Sequence, residues 1–273
     1  MTDVAKLQHT CRQVRCDILR MINTAGSGHP GGSLSAVELL VGLYSARLRH
    51  RPAQPTWPDR DRFVLSKGHI APALYSVMAH VGYFPREELM SLRKMGSRLQ
   101  GHPHNLKLPG IEVSSGSLGQ GLSVGVGMAL GARLQKAPWR TYVMMGDGEI
   151  QEGQIWEAAM SAGHYQLDNL CGIVDRNYLQ IDGSTEDVMS LDPCVAKWQA
   201  FNWNVIEIDG HDLQQVLDAY DAAAATRGKP TVIIARTVKG KGVPFMEDRA
   251  GWHGKAPSAE ELDTALAHLE TEI

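Results

Sequence analysis

Arg140-Thr-Tyr-Val-Met-Met-Gly-Asp-Gly-Glu149 and, a helix-length interval later, Leu170-Cys-Gly-Ile-Val-Asp-Arg-Asn-Tyr-Leu179 decide the fold class of this chain. Arg140 to Met145 is an apolar run of strand length, Gly146-Asp147-Gly148 is a turn, and Leu170 to Val174 is a second apolar run. Between them, residues 149–166 carry Ile155, Ala158, Ala159 and Ala162 at helical spacing. Strand, turn, helix and strand make a βαβ unit, whose crossover leaves the two strands parallel. Both strands then end on one edge of the sheet. Asp147 follows the first and Asn177 the second, so a carboxylate and an amide oxygen meet at the carboxyl edge, where open α/β sheets bind ligands.

Two such oxygens suit a hard cation such as Mg²⁺ or Ca²⁺, which keeps further positions for water and phosphate. Gly148 lets backbone approach a phosphate, and a helix starting there would offer unpaired N–H groups and a positive dipole end. The unit reads as a cradle for a metal-bound diphosphate. On spacing alone an ordinary βαβ turn accounts for the same residues, because Asp and Gly are common in turns. A nicotinamide dinucleotide fits less well, since Gln151 stands where G-x-G-x-x-G needs its third glycine.

Outward from this unit the pattern repeats. An amphipathic helix carries Val4, Leu7, Cys11, Val14, Ile18 and Ile22, and ends at the glycine-rich segment 25–32. Ser33 is placed to cap a helix with Val37, Leu40 and Leu43 on its stripe. Strands are expected at 63–65, 204–208 and 231–235, and helices at 72–80, 122–134 and 213–226. Residues 93–121 are loop-rich, and Ser258 with Glu261 forms a capping box for a last helix. The expected fold is α/β: three layers, a predominantly parallel sheet with helices on both faces.

With 273 residues the chain suffices for one large domain, and 43% hydrophobic with 21% charged residues is ordinary for a soluble protein. A net charge of −3 without a basic cluster argues against a nucleic-acid partner. Four cysteines without C-x-x-C spacing read as free thiols, and no signal-peptide pattern or membrane-length apolar run occurs, so the expectation is cytoplasmic. Of eleven histidines, His29, His69, His102 and His253 stand beside glycine in loops, where an imidazole can reach a ligand as donor, acceptor or proton carrier. His9, His50, His80, His104, His164, His211 and His268 read as merely solvated.

Together these segments resemble the N-terminal, diphosphate-binding domain of transketolases, which are thiamine diphosphate enzymes. The matching stretches are Ser27-Gly-His-Pro-Gly31, Asp61-Arg-Phe-Val-Leu-Ser-Lys-Gly-His69, Gly101-His-Pro103 and Gly116-Ser-Leu-Gly-Gln-Gly121. Gly146-Asp-Gly-Glu-Ile-Gln-Glu-Gly153, Asp175-Arg-Asn177 and Gly251-Trp-His-Gly-Lys255 continue the series in the family's order and spacing. One departure is Gly32, where some members carry serine.

The resemblance implies that Asp147, Asn177 and the carbonyl of Leu179 hold Mg²⁺ or Ca²⁺ against thiamine diphosphate, with Gly146, Gly148 and Glu149 among the cofactor contacts. Gly116, Ser117 and Leu118 would lie along the coenzyme near its aminopyrimidine. His69 and His253 would flank the diphosphate and reactive carbon, with Lys239 or Lys241 nearby. His29 and His102 would contact sugar hydroxyls and move protons, and Glu152 and Glu157 would lie at a subunit interface.

The family's pyrimidine-binding and C-terminal domains have no counterpart, so residues 1–273 are expected to be a single diphosphate-binding domain. The expected function is that of the N-terminal subunit of a split transketolase, transferring a two-carbon ketol unit from a ketose phosphate to an aldose. It would need a separate C-terminal subunit, in an α₂β₂ heterotetramer. A deoxyxylulose-phosphate synthase-like or ketoacid dehydrogenase-like subunit, or a non-catalytic cofactor-binding module, is the alternative. Ser66 to His69 and Trp252 to Lys255 favour transketolase.

Overall fold

The computed structural model describes residues 3–271. Its strands are β1 (Arg62–Leu65), β2 (Thr141–Gly146), β3 (Leu170–Arg176), β4 (Leu179–Gln180), β5 (Gly183–Ser184), β6 (Asn204–Asp209) and β7 (Thr231–Arg236). β4 and β5 pair as a small antiparallel hairpin. The other five form one parallel sheet in the order β1-β2-β3-β7-β6, so β7 lies between β3 and β6. Helices α1 (Val4–Ala25), α2 (Pro30–Ser35), α3 (Val37–Gly42), α4 (Ala71–His80) and α5 (Gln120–Leu134) precede β2. After it come α6 (Gly153–His164), α7 (Thr185–Met189), α8 (Cys194–Ala200), α9 (Leu213–Ala225) and α10 (Ala259–Thr271).

The inner strands β2, β3 and β7 are buried along nearly their whole length and mostly apolar because both faces are covered, as expected of a parallel sheet, whereas edge strand β6 exposes Glu207 and Asp209. Tyr142, Met144, Cys171, Ile173 and Ile233 join one buried cluster with α1, α3, α4 and α9. Val143, Met145, Val174, Val232 and Ile234 join the other, with α5, α6 and α8. The small residues of α5 allow close approach: a Cβ on Gly125 would lie 2.4 Å from Val143 Cγ2. α1 is tied to α3 by a buried pair, in which Arg15 Nη1 and Nη2 donate to Glu38 at 2.7 and 2.8 Å. Among the described residues no helix is long and apolar enough to cross a membrane, and the four cysteines are free thiols.

The structure departs from the sequence reading in four places. The helix of the βαβ unit begins at Gly153, not at Gly148; Glu149–Gln151 is a single tight turn, and Glu152 is extended at φ −67°, ψ 131°. The helix before Val37 begins at Pro30 with His29 at its N-cap, so Ser33 lies inside it and donates back to the His29 carbonyl at 2.6 Å. The β4–β5 hairpin, α7 and α8 are too short to show a periodic stripe. Finally, histidines read as solvated are held by distant parts of the fold: His50 stacks on Tyr83, His80 Nε2 lies 3.0 Å from Asp17, and His211 bridges Glu38 and Val238.

Gly163 sits where α6 meets the turn after α8, and a Cβ there would lie 1.9 Å from the Phe201 carbonyl oxygen. Backbone cannot yield as a side chain can, so Gly163→Ala should destabilise the chain by about 2 kcal/mol. Denaturant unfolding measures it; an unchanged midpoint would contradict this packing.

Candidate active site

A buried ion pair organises the carboxyl edge. Asp175 ends β3 fully buried and accepts from the Lys67 ammonium, Ser35 Oγ and Thr237 Oγ1. Burial alone would raise its pKa, but Lys67 and the two hydroxyls outweigh that and hold it below the ordinary value. Lys67 follows β1 and Asp175 ends β3, so the lysine side chain must pass over the end of β2. Gly146 is the β2 residue in register with Asp175, and a Cβ there would lie 3.3 Å from Lys67 Cδ. The glycine leaves the channel for that crossing.

A second buried carboxylate gathers three loops. Glu149 accepts from the Ser66 hydroxyl, from Gly119 N–H at 3.0 Å and from Gly146 N–H at 3.1 Å. Its side chain is committed to the protein itself. Burial raises its pKa despite these donors.

Above these networks lies a cavity of about 340 Å³ whose walls include Lys67, His69, Asp147, Asn177, Lys239 and His253. Asp147 Oδ1 accepts from Gly148 N–H at 2.8 Å and Oδ2 from Tyr178 N–H at 2.5 Å, so this carboxylate bridges the turns after β2 and β3. Burial first, and then Asp175, push its pKa up to about 6. Asn177 Oδ1 accepts from Leu179 N–H at 3.2 Å. Gly148 has ordinary helical backbone at φ −60°. Its lack of a side chain matters for packing instead, since a Cβ would lie 2.8 Å from Gln180 Cβ in the hairpin above it.

The four loop histidines converge. His29 lies 5.2 Å from His69, 5.5 Å from His253 and 6.5 Å from His102 between ring centroids, and His69 lies 5.2 Å from His253. The Lys239 ammonium donates to the Leu179 carbonyl at 3.1 Å and reaches His253 Nδ1 at 3.0 Å. An ammonium can only donate, so Nδ1 of His253 accepts and its proton sits on Nε2. Burial, followed by neighbouring cations, lowers His29 and His253 to about 4 and His69 well below its usual value. Burial and Arg93 lower His102. These rings are therefore neutral near pH 7. Burial also lowers Lys239 to about 8. His29 Nδ1 is buried without a hydrogen-bond partner.

Several expected residues are placed differently. Lys241 pairs with Glu247 at 3.4 Å and lines a separate cavity with Arg236 and His211, so of the two candidate lysines only Lys239 belongs to the site. Ser117 is exposed and outside the cavity walls, whereas Leu118 is one of them. Gly116, at φ 143°, packs against His102: a Cβ there would lie 3.1 Å from the ring. Glu152 and Glu157 are exposed. Sequence reasoning passed over Lys67, Asp175 and Arg93 as site residues. A charge of each sign at the ends of two apolar strand runs was the available signal for the first two. Nothing local marks Arg93, which stands at φ 60° and donates from Nη1 to Ser27 Oγ at 3.2 Å.

Hard oxygen donors beside a buried ammonium, at the carboxyl edge of a parallel sheet, suit a diphosphate gripped through a divalent cation, and so a diphosphate-coenzyme enzyme. Comparison with known proteins narrows this. Residues 6–272 match the family described as transketolase, thiamine diphosphate binding domain, and the chain belongs to that family. It is 44% identical over 270 residues to one of the named subunits of the apulose-4-phosphate transketolase of Phocaeicola vulgatus, covering 99% of this chain and 96% of that one. It is 45% identical over 266 residues to the 6-deoxy-6-sulfo-D-fructose transketolase subunit SqwG of Clostridium sp., covering 97% of each. The transketolase structure from Campylobacter jejuni superposes with a TM-score of 0.93 at 32% identity, covering 98% of this chain and 43% of that one. The chain thus spans less than half the length of that single-chain enzyme and nearly all of the separate subunits. It is a thiamine diphosphate-binding transketolase chain of the kind found as the N-terminal subunit.

Glu149→Gln would turn an amide N–H toward donors that now share a carboxylate. A destabilisation on the order of 2 kcal/mol is expected, read by denaturant unfolding; no change would mean that the three loops are held by other contacts.

Proposed function

We propose that this chain is the diphosphate-binding half of a two-subunit transketolase, transferring a two-carbon ketol unit from a ketose phosphate to an aldose. The observation that carries this is the convergence of Asp147, Asn177, Leu179, Lys239, His69 and His253 about one cavity, with the His29 ring against both histidines and His102 beyond it. Asp147, Asn177 and the Leu179 carbonyl would hold Mg²⁺ or Ca²⁺: all are hard oxygens, and the Lys239 ammonium already rests on that carbonyl, as a cation would. When bound, thiamine diphosphate supplies the nucleophilic carbon and the electron sink that let a bond beside a ketone break and re-form.

The chain's own residues bind, orient and exchange protons. Gly148 and the turn after β2 offer the diphosphate close backbone approach. His69 and Lys239 bring donors to its side, and His253, with its proton fixed on Nε2, points a donor from the opposite loop. His29 and His102, neutral and adjacent, are suited to sugar hydroxyls, accepting from one and donating to another. A closed site also needs groups for the coenzyme's other ring. A C-terminal subunit would supply them, across an interface that includes Glu152 and Glu157, in an α₂β₂ assembly. The subunit naming of the two relatives, each matched almost end to end, supports such a partner.

Asp147→Ala should abolish metal-dependent uptake of thiamine diphosphate in calorimetry. His102→Ala should leave uptake within about twofold while slowing ketose–aldose exchange about 100-fold. The reverse pattern would exchange the two roles. The purified chain should show no ketol transfer until a C-terminal transketolase subunit is added; full turnover by the chain alone would overturn the two-subunit reading.

A further inference from the structure

Lys239 stands in the segment between β7 and the turn at Ala250, which has no strand or helix of its own. An ordered loop loses backbone entropy of about 1–2 kcal/mol per residue, so something must hold it. Two side chains grip the peptide groups on either side of the lysine. Val238 N–H donates to His211 Nε2 at 2.8 Å, and Arg15 Nε donates to the Lys241 carbonyl at 3.0 Å. Both grips meet on Glu38, which accepts from Arg15 and lies 3.0 Å from His211 Nδ1.

The directions of these bonds fix the histidine. A backbone N–H can only donate, so Nε2 carries no proton and Nδ1–H donates to Glu38. Glu38 is therefore the common acceptor for α1 and for the turn after β6. Burial would raise its pKa, but Arg15 and His211 bring it down to about 2. Gly240 N–H adds a bond to the Gly31 carbonyl at 2.9 Å, which sets the loop against the segment bearing His29.

We propose that Glu38, His211 and Arg15 act as a positioning clasp that sets Lys239 against Leu179 and His253, and so sets thiamine diphosphate affinity without touching the coenzyme. This rests on the diphosphate site proposed above. None of the three lines the cavity that holds Lys239. Each therefore acts through the backbone on either side of the lysine.

The test uses the full chain and two readouts. His211→Phe removes the acceptor for Val238 N–H. Amide hydrogen exchange in residues 237–249 should quicken about tenfold, while β3 stays as protected as in the wild type. The dissociation constant for thiamine diphosphate with Mg²⁺ should rise about tenfold, as for supporting residues behind ligands. His211→Gln keeps an acceptor and should restore both. Lys239→Met should weaken uptake similarly, and the double variant His211→Phe with Lys239→Met no further. Unchanged exchange in 237–249, equal quickening across β3, or additive losses in the double variant would each overturn the clasp. The exchange arm decides it even if the chain alone takes up no coenzyme; absence of uptake with a C-terminal transketolase subunit present would count against the diphosphate site instead.

Discussion

The arrangement of the carboxyl edge depends on one buried charge pair, Lys67 with Asp175. Two charges out of water are costly unless their geometry and remaining hydrogen bonds are complete. Here Ser35 and Thr237 supply the missing donors to the carboxylate. The four groups come from the segment after β1, the end of β3, the end of α2 and the loop after β7. Because an unpartnered member would leave an uncompensated buried charge, the four segments are held to one relative placement. His69 lies two residues from Lys67, Asn177 two from Asp175 and Lys239 two from Thr237, so three walls of the cavity are set by the same pair.

The electrostatics follow from the same depth. Burial suppresses ionisation of all four site histidines, and the cations Lys67, Lys239 and Arg93 suppress it further. Asp147 is pushed the other way, toward a carboxyl that resists becoming an anion, by burial and by Asp175. The rings are thereby kept neutral, able to donate and accept. The acid sits where a cation would relieve its cost. One low-dielectric pocket gives opposite results because imidazole is charged when protonated and carboxylate when deprotonated.

Much of this was legible in the sequence. Apolar runs at 140–145, 170–174 and 231–235 read as strands, and the glycine-flanked histidines marked the loops that converge. The alternation of helix and strand specified the layers. What was hidden depended on partners far apart in the chain. Glu149 reads as the first turn of a helix, yet it is a buried acceptor for residues more than two dozen positions away. His211 reads as merely solvated, and only the return of β7 beside β6 shows that it bonds Val238. Lys239 and Lys241 are indistinguishable by spacing; one is buried under His253 and the other is turned outward to Glu247. Side-chain burial of that kind belongs to tertiary packing, which local pattern does not encode.

The sheet order carries a consequence for synthesis. The strand that occupies the gap between β3 and β6 is also the last of the five to leave the ribosome. Until it arrives, β3, greasy from Leu170 to Val174, presents a bare row of peptide groups on one side, the kind of margin to which other chains add. The nascent polypeptide thus passes through a window in which its most central strand is unshielded and the pocket has no floor on that side. A small gap in translation or a slow docking of the final strand would expose this chain to self-association more than a sheet assembled in simple sequential order.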